Sequence, residues 1–135
     1  MPIQAEAVPR KAADPFDFGG GHIEPDKAID PGLVYDIDPS HYTKFFNCTF
    51  LEAEDDCESY MEQIYQLNLP SIAVPKLKDS VTVWRTVTNV GEAEATYHAV
   101  LEAPVGMTMS VEPSVITFTR GGSRSLTFKV TFTTT

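Results

Sequence analysis

From Ser71 to the C-terminus the apolar residues fall two apart, and this period fixes the fold class of the second half of the chain. Ile72 and Val74 alternate up to Pro75. Val81, Val83 and Val87 share one face, against Thr82, Trp84, Thr86 and Thr88 on the other. Ala95, Tyr97, Ala99 and Leu101 alternate with polar residues. So do Met107, Met109 and Val111, then Ile116 and Phe118, then Leu126, Phe128, Val130 and Phe132. Six short strands are predicted. Turn signals separate them, among them Lys78-Asp79-Ser80, Asn89-Val90-Gly91-Glu92, Glu112-Pro113-Ser114 and Arg120-Gly121-Gly122-Ser123. Short, evenly spaced strands rich in Thr and Val predict an antiparallel β-sandwich.

The first half reads differently. Residues 1–13 lack periodicity and are expected to fray. Residues 14–36 are rich in Gly, Pro and Asp. The triplet Gly19 to Gly21 permits positive φ, and Asp14-Pro15, Glu24-Pro25 and Asp30-Pro31 favour extended backbone. Asp38 before Pro39 is an N-cap with proline at N1, which predicts a short helix carrying Tyr42, Phe45 and Phe46 on one face. Glu52 to Asp56 reads as a solvated acidic loop, and Tyr60, Ile64 and Leu67 predict one or two further helical turns. The fold class is therefore mainly β, an antiparallel sandwich preceded by a loop-rich segment with one or two short helices.

Charge divides the chain at the same place. Residues 1–66 hold 14 acidic and 4 basic side chains, net −10, whereas residues 67–135 hold 5 acidic and 6 basic, net +1. That step marks a boundary near Leu67. An acidic first half argues against nucleic acid and against anionic membrane as partners. No apolar run approaches the roughly 20 residues needed to span a bilayer. Met-Pro-Ile-Gln-Ala-Glu at the N-terminus lacks the apolar core of a signal peptide.

Cys48 and Cys57 have eight residues between them and can close a small loop in an oxidising compartment. The spacing does not suit a zinc ribbon. Asn47-Cys48-Thr49 is a formal N-glycosylation sequon, although a cysteine at its centre makes Asn47 a poor acceptor. The aspartates between Asp14 and Asp38 lack EF-hand spacing and are read as caps and turns, so neither metal nor cofactor is expected.

Two phrases carry more specific information. Phe16-Asp-Phe-Gly-Gly-Gly-His-Ile23 continues to Asp30-Pro-Gly-Leu-Val-Tyr-Asp36, and Trp84-Arg-Thr-Val-Thr-Asn-Val-Gly91 follows about fifty residues later. Together with Leu69-Pro-Ser-Ile72 they resemble the C-terminal part of plant subtilisin-like serine proteases, the subtilases. The resemblance implies that residues 1–66 correspond to the end of a peptidase domain plus its connector. It implies a fibronectin type III-like domain over residues 67–135, and a parent enzyme that cleaves proteins outside the cell, in the apoplast.

The family's nucleophile lies in a Gly-Thr-Ser-Met-Ala phrase, and its other triad residues lie in Asp-[Ser/Thr]-Gly and His-Gly-Thr phrases. None of these occurs here. Without nucleophile, base and oxyanion donors the chain is expected to hydrolyse nothing by itself. His22, in the Gly-His of the first phrase, is read as framework, and His41 and His98 as surface residues. Trp84 is expected to pack at an outer face or a domain interface. Arg85 interrupts an apolar row: pointing inward it needs a carboxylate, and otherwise it contacts a neighbouring domain, the preferred reading. Arg85, Trp84 and His22 are thus the candidate domain-contact residues. The expected partner is the parent peptidase domain or another protein. Rival readings are a free-standing interaction module that binds through sheet edges, with self-association left open, and a cryptic hydrolase built around His22 and the aspartates.

Overall fold

The computed structural model describes residues 4–5, 11–14, 17, 21–51 and 56–135. It comprises two compact units, Met1–Asp30 and Pro31–Thr135. In the first, Gln4 and Ala12 form an isolated antiparallel bridge, and Lys11 pairs with Asp14 at 2.7 Å and with Asp17 at 3.3 Å. Gly21 has φ +96°, as expected for the triplet, whose other two members lie outside the described residues. Extended Glu24 leads into a five-residue helix, α1 (Pro25–Ile29), that alternation did not reveal; its proline sits at N1, where no N–H is needed.

The second unit opens with β1 (Leu33–Val34) and α2 (Pro39–Phe46). A π-helical turn, Asn47–Leu51, continues α2. Asp38 caps α2 as expected, accepting from Ser40 N at 2.8 Å. The predicted further turns appear as α3 (Cys57–Glu62) and a 3₁₀ turn, Ile64–Gln66. Most of the expected acidic loop, residues 52–55, lies outside the described set, as does much of the expected frayed terminus.

Five strands follow: β2 (Ser80–Asn89), β3 (Ala95–His98), β4 (Met107–Glu112), β5 (Val115–Phe118) and β6 (Ser125–Thr134). The larger sheet has the order β1-β2-β6-β4 and the smaller pairs β3 with β5, all antiparallel. Ile72 and Val74 form no strand. Two apolar residues before Pro75 are too few to sustain a ladder, and both instead line a small cavity with Leu77, Met107 and Phe132. The strand that completes the larger sheet is β1, which comes from the segment read as loop.

The register explains why period two was so clear. Val83, Val130 and Val111 lie side by side across three strands, and Val81, Phe132 and Met109 form the next such row. Val111 of the first row lines a cavity with Tyr97 of β3 and Ile116 of β5, and in that smaller sheet Phe118 is buried and meets Tyr97 edge to face at 6.1 Å. The opposite face carries hydroxyl pairs, Thr82–Thr131 at 2.9 Å and Thr86–Thr127 at 2.7 Å, which satisfy one another across the ladder. Compaction falls at Asp30/Pro31, away from the charge step near Leu67.

Candidate functional site

The continuation of the first phrase, around Gly32 to Val34, meets the second phrase along β2. Leu33 and Val34 pair with Asn89 and Thr88, and the carbonyl of Gly32 accepts from Val90 N at 2.9 Å and Gly91 N at 3.2 Å. Asn89 is buried. Its side chain accepts from Gly91 N at 3.0 Å and donates to the Glu92 carbonyl at 2.7 Å, closing the turn after β2. The approach is too close for side chains. A Cβ on Gly91 would stand 3.2 Å from the Gly32 Cα, and one on Gly32, whose φ is +68°, would stand 2.8 Å from Tyr97 Oη.

Further along this edge, among the described residues no strand lies beside β2, and two side-chain amides take that place. Gln66 Oε1 accepts from Trp84 N, and its Nε2 donates to the Thr82 carbonyl, both at 3.0 Å. Asn68 Oδ1 accepts from Thr86 N, and its Nδ2 donates to the Thr86 carbonyl, both at 2.8 Å; Nδ2 also reaches the Asp36 carbonyl at 3.0 Å. A carboxamide carries the same donor and acceptor as a peptide group, so Gln66 and Asn68 act as a surrogate strand. Sequence reading passed over both. The signal was present as two carboxamides two residues apart, matching the two-residue step of a strand edge.

Arg85 lies between these amides and corrects one expectation. It points inward and is only 2% exposed, yet among the described residues it pairs with no carboxylate. Its guanidinium donates to four peptide carbonyls: Leu69 at 2.8 Å, Trp84 at 2.8 Å, Tyr65 at 2.9 Å and Ser71 at 3.2 Å. Carbonyl dipoles replace the counter-ion, and the segment 65–71 is wrapped around the cation. Burial lowers the guanidinium's pKa from its ordinary value, against an opposing contribution from Tyr35.

Trp84 faces the opposite way and is 54% exposed, opposite Lys129, which pairs with Glu112 at 2.9 Å. His41 and His98 are exposed, and His22 is exposed within the first unit. Cys48 and Cys57 are joined in a disulfide, which links the π-helical turn to the start of α3. Lys44 of α2 reaches Asp56 at 2.6 Å beside it and lowers the pKa of that carboxyl; hydrogen bonds from Ser40 lower that of Asp38. Asn47 of the sequon is half-buried in the helical turn. Phe18 to Gly20 of the first phrase lie outside the described residues.

Two antiparallel sheets with an inward alternating face, closed at one edge by a preceding segment, define an antiparallel β-sandwich module. The fibronectin type-III domain family matches residues 66–135, and the chain belongs to that family. Nearly the whole chain is also similar to plant proteases. It is 42% identical over 145 residues to the subtilisin-like protease SBT3.11 of Arabidopsis thaliana, covering 99% of this chain and 19% of that protein. It is 42% identical over 139 residues to SBT3.13 and 41% over 143 residues to SBT3.8 of the same plant, covering 18% of each. The chain thus spans about a fifth of the length of the curated relatives it matches. The resemblance drawn from the two phrases is the one these comparisons return.

Proposed function

We propose that the chain is the non-catalytic C-terminal portion of a secreted subtilisin-like serine endopeptidase. Residues 1–66 correspond to the end of the peptidase domain plus its connector, and residues 67–135 to the sandwich module. The module supports the stability of the catalytic domain or the access of substrate to it. The observation that carries this reading is the alignment of 96–99% of the chain with under a fifth of each protease. The sequence supports it as well, since no triad phrase is present. The Cys48–Cys57 disulfide suits an oxidising compartment.

The test has two arms. Purified chain incubated with a fluorophosphonate probe and with casein should show neither label nor cleavage, and a labelled serine would overturn the non-catalytic assignment. The separately expressed peptidase portion of a relative such as SBT3.11 should gain thermal stability or turnover when the chain is added. No change in either would overturn the supporting role.

A second reading, a free-standing interaction module, draws on the apolar side chains left at the surface. Phe46 and Phe50 lie with ring centroids 5.2 Å apart and planes tilted by 41° and are both more than half exposed, and Val100 and Val105 protrude from the loop between β3 and β4. A tight complex with an intact subtilase in a pull-down would favour this reading over the first.

A further inference from the structure

Arg85 brings a full positive charge into the interior, and its four acceptors are neutral peptide carbonyls. A guanidinium carries five N–H donors. One belongs to Nε and two to each Nη. Nε gives its donor to Leu69, Nη2 gives both to Tyr65 and Ser71, and Nη1 gives one to Trp84. The second donor of Nη1 has no acceptor among the described residues. Arg85 also lines a cavity of about 270 Å³, whose other walls include Tyr42, Phe45, Ile64, Tyr65 and Leu67. Of all the residues around this cavity Arg85 is the most deeply buried, and none is acidic. A concave apolar space with a single convergent cation and no anion is half of a recognition site.

We propose that this cavity is a receptor for a carboxylate carried on a short apolar stem, with Arg85 as the group that binds the anion. The aromatic and aliphatic walls would take the stem. The free Nη1 donor would take one carboxylate oxygen, and the guanidinium's formal charge, met so far by carbonyl dipoles alone, would supply the attraction. The cavity is slightly smaller than the roughly 300–1,000 Å³ of ordinary ligand pockets, which limits the occupant to a small acid or the last side chain of a peptide. The charge favours the ionised acid over any neutral analogue of the same shape, because a guanidinium–carboxylate ion pair replaces a bond from the cation to a neutral acceptor.

The probe is 3-phenylpropionate, titrated into ¹⁵N-labelled full-length chain at neutral pH and followed by two-dimensional NMR. Saturable shifts are expected at Tyr65, Leu69, Ser71 and the Arg85 Nε–H. The isosteric 3-phenylpropanamide should bind at least tenfold more weakly. Ser71→Asp, at an exposed position whose carbonyl already meets the guanidinium, offers the cation an internal carboxylate; it should abolish binding while keeping a folded spectrum. It serves as the working variant even if Arg85→Met fails to fold. N-acetyl-glycyl-phenylalanine, which has a free C-terminal carboxylate, separates the two sources of this chemistry. Tighter binding than 3-phenylpropionate assigns the receptor to chain ends, and weaker binding assigns it to free acids. No saturable shift with either acid, an amide that binds equally well, or an unaffected Ser71→Asp variant would overturn the proposal.

Discussion

Arg85 and Gly32 show how single residues hold this molecule together through the backbone of distant segments. Arg85→Met keeps most of the apolar stem and removes four hydrogen bonds, leaving the carbonyls of Tyr65, Leu69 and Ser71 without their donor. The expected loss is about 2–4 kcal/mol, or roughly 10 °C or more in the thermal midpoint of a domain this size. An unchanged midpoint would show that the cation is dispensable to the fold. Gly32→Ala forces a Cβ to within 2.8 Å of Tyr97 Oη at a φ of +68°. Its cost should separate into two parts. Adding Tyr97→Phe removes the clashing oxygen and should recover the steric part in a denaturant titration, leaving about 1 kcal/mol for the left-handed backbone. Failure of the second substitution to recover any stability would refute the clash. Neither role could be read from residue type. Peptide carbonyls carry no sequence identity, so an inward arginine suggested a carboxylate where four main-chain oxygens suffice.

At the level of elements, the central pair β2–β6 and strands β3 to β5 were legible because one face of each is buried and the side-chain period is two. Helix α2 was legible because Asp38-Pro39 states its own start. Ile72 and Val74 misled because two alternating residues satisfy the pattern without a partner strand. β1 was missed because two residues show no period at all; its place is set by the Gly32 and Gly91 backbones, which only the folded chain brings together. The surrogate edge made by Gln66 and Asn68 leads to a prediction. Replacing both with Ala unmasks the peptide groups of Thr82, Trp84 and Thr86 on an open strand edge. The double variant should lose stability and self-associate as concentration rises, as read by light scattering after size exclusion; a monomer at every concentration would contradict the edge-blocking role. The helical elements have their own pH dependence. Asp38 and Asp56 have folded-state pKa values below their ordinary ones. Their stabilisation is present above the unfolded carboxylate value near 4 and is lost as pH falls through the lower folded value. Amide shifts of α2 and α3 should therefore move in that acid window, and Lys44→Met should remove the Asp56 part; identical titrations with and without Lys44 would discount the pair.

On the scale of the whole molecule, the family's limits and the limits of the compact unit differ. The fibronectin type-III match begins at residue 66, whereas the compact unit begins at Pro31. The intervening residues supply β1, the Gly32 carbonyl, the Asp36 carbonyl that Asn68 reaches and one of the acceptors of Arg85. A fragment spanning residues 31–135 should therefore unfold in a single cooperative transition by circular dichroism, and a fragment spanning 67–135 should melt well below it or fail to stay soluble. Equal midpoints would show that the sandwich is self-sufficient and that the preceding segment merely lies on it. Small sheets have little apolar area to spare, which is why such a segment matters.

The surrogate edge also works as a ruler. Gln66 and Asn68 stand two residues apart in one segment, and the groups they engage recur at the same interval in the other, so the two stretches are locked in phase. One residue inserted between the two amides would throw at least one of them out of step, and no rotamer change can make up a whole residue of rise. Length variation should therefore be tolerated in the Val100–Val105 loop and forbidden between Gln66 and Asn68, a contrast that a scan of single-residue insertions along the chain would make visible.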